Sequence, residues 1–279
     1  MKIRLEKTRI PNHLLEYFET DLCSSCYVCH TLLWAKEAWR VLENDGILFL
    51  NIADSYAGGG KGNYGSGISS SVKAKQNPKG NDFNYGNIPS KCQLLIPHRV
   101  AIALIDAGWV LRNTICWFKS NAMPESVTDR FSKKYEYIFM FSKQEKYYFD
   151  LDAIREPHKE VSLERIKGTW NGHREEMSSY KNMDISKMCH PLGKNPGDVW
   201  IIPTRPSPEK HYAMWPEQLV ERMVKCSTKA GDSVLDPFCG SGSTLKVAEQ
   251  LNRKGIGIDL GYHEMSKRRT GKIQKQLFV

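Results

Sequence analysis

The chain has 279 residues, 41% of them hydrophobic, enough for one large domain or a domain carrying an insertion. No apolar run approaches the roughly 18 residues that a transmembrane helix needs. The opening stretch MKIRLEKTRIPN lacks the apolar centre of an export signal, so a cytoplasmic protein with no membrane partner is expected, its eight cysteines mostly reduced. Forty Lys and Arg against 31 Asp and Glu leave a net charge of +9, which favours a polyanionic partner.

Near the N-terminus the chain reads Cys23-Ser24-Ser25-Cys26-Tyr27-Val28-Cys29-His30. The CxxCH spacing is formally a haem-attachment signature, but that chemistry requires export. Zinc usually takes a second ligand pair about a dozen residues away, and the remaining cysteines are scattered. The stretch reads as small thiols at a helix start, with no metal site.

Leu32, Ala35, Trp39 and Leu42 recur on one helical face, and Asn44-Asp45-Gly46 ends that helix in a turn. Ile47 to Ile52 is a nearly continuous apolar run, the pattern of a buried strand. A glycine-rich loop follows. Gly60-Lys61 precedes Gly62 rather than the Ser or Thr of a phosphate-binding P-loop. Residues 57–90 are poor in large aliphatic side chains, so they are expected to be disordered or to order only on a partner. A helix from Ile96 to Ala107 stops at Gly108. Strands are expected at Trp109 to Trp117 and Tyr135 to Ser142, around a polar loop from Lys119 to Arg130. Residues 151–198 are polar and basic, with Trp170 and His173 interspersed. Such a mixture suits contact with both phosphates and bases, or a solvated insertion.

Gly231 to Leu260 carries the most specific pattern. Ser233 to Leu235 reads as a short strand ending on Asp236. The turn Pro237-Phe238-Cys239-Gly240-Ser241-Gly242 follows, with Ser243 and Thr244 as helix-cap candidates. Leu245, Ala248 and Leu251 give a helical stripe, and Gly255 to Ile258 a second strand ending on Asp259. Gly240 and Gly242 let the backbone approach a ligand closely. An acid about 20 residues beyond such a turn suits ribose hydroxyls, which points to an adenosine-containing ligand. Leu245 stands where a dinucleotide fingerprint needs glycine. Asp236 would repel a pyrophosphate but suits an ammonium or sulfonium. The bland alternative is a tight turn that binds nothing.

Asp236-Pro237-Phe238-Cys239-Gly240-Ser241-Gly242 resembles the cofactor motif of the S-adenosylmethionine-dependent DNA methyltransferases that modify exocyclic amines. Further blocks resemble the same family: Ile47 to Gly60, Trp117-Phe118-Lys119, Met123 to Ser126, Tyr135 to Phe139, Val199 to Ile201 and His211 to Glu217. The resemblance implies a Rossmann-like α/β methyltransferase fold, with a mixed central sheet and helices on both faces. Its order, catalytic half first and cofactor half last, is that of the family's beta group. It divides the chain into a catalytic half at 1–150, a target-recognition insertion at 151–198 and a cofactor half at 199–279. By resemblance, Asp236 and Gly240 to Gly242 hold the methionine end of S-adenosylmethionine and Asp259 the ribose. Phe238 lies in the same turn, and His211 opens the segment that closes over the cofactor. The implied substrate is double-stranded DNA. A homodimer and a cognate restriction enzyme are further candidate partners.

One family feature is absent. The exocyclic amine is normally held by a tetrapeptide, Asp/Asn/Ser-Pro-Pro-aromatic, whose ring stacks on the flipped-out base. Among 13 prolines no two are adjacent, so no residue is assigned as catalytic. Two expectations follow: a gene shortened at its start, or a translation start set too late. Without the strand that leads into the tetrapeptide, the strand at Ile47 should pair differently or leave an open edge. The resemblance implies methyl transfer to cytosine N4 or adenine N6, leaning to cytosine. The alternative is a non-catalytic DNA- or cofactor-binding remnant.

Overall fold

The computed structural model describes residues 27–57, 88–167, 189–205, 214–259 and 261. Its main sheet has the order β1-β3-β2-β4, built from β1 (Ile47–Ile52), β2 (Val110–Phe118), β3 (Tyr135–Ser142) and β4 (Val199–Ile201). β3 runs antiparallel to both β1 and β2, and β4 runs parallel to β2. A second sheet pairs β5 (Ser233–Asp236) in parallel with β6 (Lys254–Gly257). Among the described residues the expected single central sheet is therefore two sheets. Among the described residues β1 pairs with β3 alone.

Alternation along the strands sorts the core onto two faces. On one face Leu48 and Ile52 of β1 and Phe139 and Phe141 of β3 pack against α1 (Tyr27–Val41) and α2 (Ile96–Asp106). On the other, Ile47, Ile138 and Met140 pack with Trp117, Trp200 and α4 (Glu217–Ser227). Burying Phe139 and Phe141 contributes about 1.5–3 kcal/mol each. Val220 and Val224 of α4 also meet Val234 of β5 and Val247 and Ala248 of α5 (Ser243–Gln250), so α4 bridges the two sheets.

α1 begins by Tyr27 rather than Leu32, which places Cys29 and His30 inside it; Cys23 and Cys26 lie outside the described residues. α2 starts at Leu95 in a left-handed conformation (φ 55°) with no side-chain cap of its own. Its cap comes from the end of β1: the Asp54 carboxylate accepts from the Ile96 N–H at 3.0 Å. Most of the glycine-rich loop and residues 168–188 of the basic insertion lie outside the described residues. The insertion's flanks form a short 3-10 turn, helix α3 (Glu160–Lys167) and a bridge between Glu156 and Lys194.

Candidate functional site

β5 delivers Asp236 to the start of a turn that folds back on it. One carboxylate oxygen accepts from the Phe238 N–H at 3.1 Å, and the other from the Thr244 hydroxyl at 2.5 Å. Gly240 (φ 49°) and Gly242 (φ 78°) take left-handed conformations that a side chain would strain. The turn is tied to the end of β6, since Ile258 N–H donates to the Asp236 carbonyl and Cys239 N–H to the Ile258 carbonyl. Asp259 completes the tie, accepting from Gly240 N–H at 3.0 Å and Gly261 N–H at 2.7 Å.

Ser243 and Thr244 are not helix caps, as their residue types suggested. Gly242 holds the cap position, and Thr244, in the first turn of α5, donates its hydroxyl to Asp236. The buried face of α5 also differs from the expected stripe: Thr244, Val247 and Ala248 are buried, while Leu245 lies at the flank against β6. β6 spans Lys254–Gly257, one residue earlier than expected.

The turn forms one wall of a cleft of about 570 Å³. Asp236, Phe238, Gly240 and Ser241 all line it. Gly242 and Asp259 are not among the residues that line it, and the Asp259 carboxylate holds the Gly240 N–H beside it. His211 lies outside the described residues. Tyr27, His30, Thr31 and Trp34 of α1 face the same space, as do Leu48 to Asn51 of β1 and Met214 and Trp215. Phe238 is exposed, its ring edge-on to Trp34 at 5.5 Å. Asn51 braces the far side, donating to the Tyr137 carbonyl and accepting from Trp215 Nε1. Burial and the nearby carboxylates of Asp236 and Asp259 push the Cys239 thiol up to about 12. It stays protonated near neutral pH and is unsuited to nucleophilic attack.

The arrangement sets a carboxylate beside exposed aromatic and apolar surface, which suits a ligand with a cationic centre and a flat ring. Trp34 and Asn51 were not singled out from sequence. Trp34 lies off the apolar stripe of α1, and an aromatic residue off the buried stripe was the available signal. Asn51 is a polar residue inside an otherwise apolar strand, and that interruption was its signal.

A family pattern described as DNA methylase matches residues 19–268. The chain is 36% identical over 229 residues to the type II methyltransferase M.Cfr9I of Citrobacter freundii, covering 81% of this chain and 64% of that one. It is 34% identical over 241 residues to the type II methyltransferase M.SmaI of Serratia marcescens, covering 84% and 70%. The chain thus spans about two thirds of the length of these curated relatives. Among solved structures, the PvuII DNA methyltransferase (cytosine-N4-specific) superposes with a TM-score of 0.57 at 20% identity, covering 95% of this chain and 75% of that one. That likeness shows the fold, the Rossmann-like α/β fold of the methyltransferases. With its pattern matched over residues 19–268, the chain belongs to the DNA methylase family.

Proposed function

We propose that this chain binds S-adenosylmethionine in the cleft and serves in methylating an exocyclic amine of double-stranded DNA, cytosine N4 in preference to adenine N6. The observation that carries this reading is the Asp236 carboxylate, fixed by Phe238 N–H and Thr244 and lining a cleft walled by Trp34 and Phe238. When bound, S-adenosylmethionine supplies an electrophilic methyl group on a sulfonium. Asp236 offers the charge that favours that cationic end, and the Gly240–Gly242 turn lets backbone come close to it. Asp259 orients the turn through Gly240, and His211 belongs to the segment expected to close over the cofactor. The protonated Cys239 fits direct transfer with no covalent enzyme–base intermediate. Basic residues of 151–198 serve to contact the DNA, in the cytoplasm. The lean to cytosine rests on the neighbouring sequence blocks, which resemble those of family members that carry Ser-Pro-Pro-Tyr.

A second reading, binding without transfer, is favoured by one observation: no two prolines are adjacent in the sequence. One pair of measurements separates the two. Calorimetry should show saturable binding of S-adenosylmethionine, weakened about tenfold or more by Asp236→Asn, since a hydrogen-bonded charge contributes about 1.5–3 kcal/mol. Tritiated methyl transfer to duplex DNA, followed by hydrolysis and chromatography, should yield N4-methylcytosine. No cofactor binding by the unaltered chain sinks the proposal. N6-methyladenine overturns the base assignment, and binding without transfer establishes the second reading.

A further inference from the structure

The connection from β2 to β3 runs from Lys119 to Lys134 without helix or strand. A connection longer than about 12–15 residues with no such structure is uncommon in a compact domain, and it is either a loose linker or a functional loop. This one is tied down along its length. The Lys119 N–H donates to the Lys134 carbonyl at 2.7 Å and closes the base of the loop. Asn121 exchanges hydrogen bonds with the backbone of Thr204 at 2.7 and 2.8 Å. Asp129 pairs with Lys91, and Glu125 with Arg130. The Arg130 guanidinium lies 4.2 Å from the centre of the Tyr56 ring, and Lys133 Nζ lies 4.6 Å from it.

Between those two anchors stands Phe131, 97% exposed. Arg130 Nη1 also donates to the Phe131 carbonyl at 3.1 Å, so the backbone is held while the ring stands in solvent. Single exposed apolar side chains are ordinary on a protein surface. A phenylalanine flanked by two cations seated on one tyrosine is a different case, because the bracing keeps its ring from settling onto the sheet. The charge around it points to the partner. Glu125 and Asp129 are taken up by Arg130 and Lys91, which leaves Lys133 and Lys134 as surplus positive charge, and Lys134 is exposed. Such a rim suits phosphates. The loop also rises from the end of the sheet where Asn51 borders the cleft. Asn51 is next to last in β1, and Tyr56, which the loop grips, follows shortly after that strand ends.

We propose that Phe131 is a wedge that enters the DNA duplex beside the base being modified. An exocyclic amine is reached only when its base leaves the stack, and inserted apolar side chains hold base steps apart. The Phe131 ring fills the opened step, Lys134 meets a neighbouring phosphate, and the contacts to Tyr56 hold the loop against the push of insertion. The inference rests on the reading of the chain as a DNA methyltransferase and adds a positioning residue to it. Phe131 takes no part in the methyl transfer itself.

The test uses the full chain and two fluorescein-labelled duplexes of one mixed sequence, one intact and one with a central abasic site. A wedge finds the second duplex already open. The unaltered chain should therefore bind it about tenfold more tightly in fluorescence anisotropy, near the lower end of what one aromatic stacking contact is worth. Phe131→Ala should bring that ratio to within about twofold, and Phe131→Trp should keep it. Lys134→Ala should weaken both duplexes alike and lower the salt dependence by about one released counterion. Because the ring is exposed, Phe131→Ala should melt with the parent, which separates a lost preference from a damaged fold. A ratio near one for the unaltered chain, or a ratio that survives Phe131→Ala, overturns the wedge and leaves the DNA reading standing. Equal weakening of both duplexes by Phe131→Ala puts the ring outside the helix and also overturns it. A dimer in ultracentrifugation that Phe131→Ala dissolves makes a second copy the partner of the ring, with the same result. Binding of neither duplex sinks the DNA reading, and the wedge with it.

Discussion

Gly257 tests whether the turn is held by contact with β6. A Cβ added there would stand 2.7 Å from Cys239 Sγ and from Leu245 Cδ1, and 3.0 Å from Cys239 Cβ. Ordinary carbon contacts are about 3.5–4.0 Å, so close to an ångström must be found on two sides. Leu245 can yield by rotating. Cys239 cannot move without the turn, because its N–H is held by the Ile258 carbonyl and its carbonyl by Gly242 N–H. Gly257→Ala is therefore an overpacking change costing about 1–3 kcal/mol. In a chain of this size that lowers the melting temperature by about 2–4 °C for each kcal/mol. The displaced turn should also weaken S-adenosylmethionine by about tenfold. Urea unfolding reads the first effect and calorimetry the second. Cys239→Ala removes the Sγ that causes the clash, so the double variant should lose less than the sum of the singles, by on the order of 1 kcal/mol. A Gly257→Ala protein within about 0.5 kcal/mol of the parent, or strictly additive variants, would refute the reasoning.

Thr244→Val removes the donor to Asp236 from a residue only 8% exposed. A loss of about 1–2 kcal/mol in urea unfolding is expected, and unchanged stability would show that the bond carries nothing. Burial opposes ionisation of Asp54, but hydrogen bonds from Gln93, Ser55 N–H and Ile96 N–H hold its carboxyl below the usual range. Its contribution is full above about pH 3.9 and is lost as the pH falls through the depressed folded value. Asp54→Asn should flatten the acid loss of stability below about pH 3.9 in thermal melts; an unchanged slope contradicts this. Burial, then Asp236 and Asp259, raise the Cys239 thiol to about 12. The folded state thus keeps a proton that an unfolded thiol loses near pH 8.5, and stability falls as the pH rises above that value. Cys239→Ala should lessen that alkaline loss, and parallel curves for variant and parent count against it.

The parts legible in the sequence are those whose signals are local. β1 and β3 fall where continuous apolar runs put them, because both strands are covered on two faces. α2 ends before Gly108 because that residue sits at φ 94°. The start of α1 was hidden because Tyr27, His30 and Thr31 face the cleft, so its first turn breaks the apolar stripe. Ser243 and Thr244 misled for a related reason. Their residue types fit a cap, but Gly242 already has the geometry, and the Thr244 hydroxyl goes to a carboxylate on the preceding strand. Asn51 joins Tyr137 and Trp215 across 86 and 164 positions; no local pattern carries pairings that distant.

Asp236 has two duties that one substitution can separate. A carboxylate offers about four acceptor positions. Phe238 N–H and the Thr244 hydroxyl occupy two of them in holding the turn, which leaves acceptor capacity and the negative charge for a ligand. Asparagine keeps a carbonyl oxygen for the Phe238 N–H. Its amide can donate to the Thr244 hydroxyl, which accepts as readily as it donates. Asp236→Asn therefore preserves both internal bonds and removes only the charge. Alanine removes all of it and confounds ligand affinity with the collapse of the turn. If Asn and Ala variants lose S-adenosylmethionine equally but only Ala loses stability, the charge acts on the ligand and the bonds act on the fold. If Asn destabilises as much as Ala, the ionised carboxylate is itself part of the turn's structure, and the cation-binding role assigned to Asp236 has to be rebuilt on other residues of the cleft.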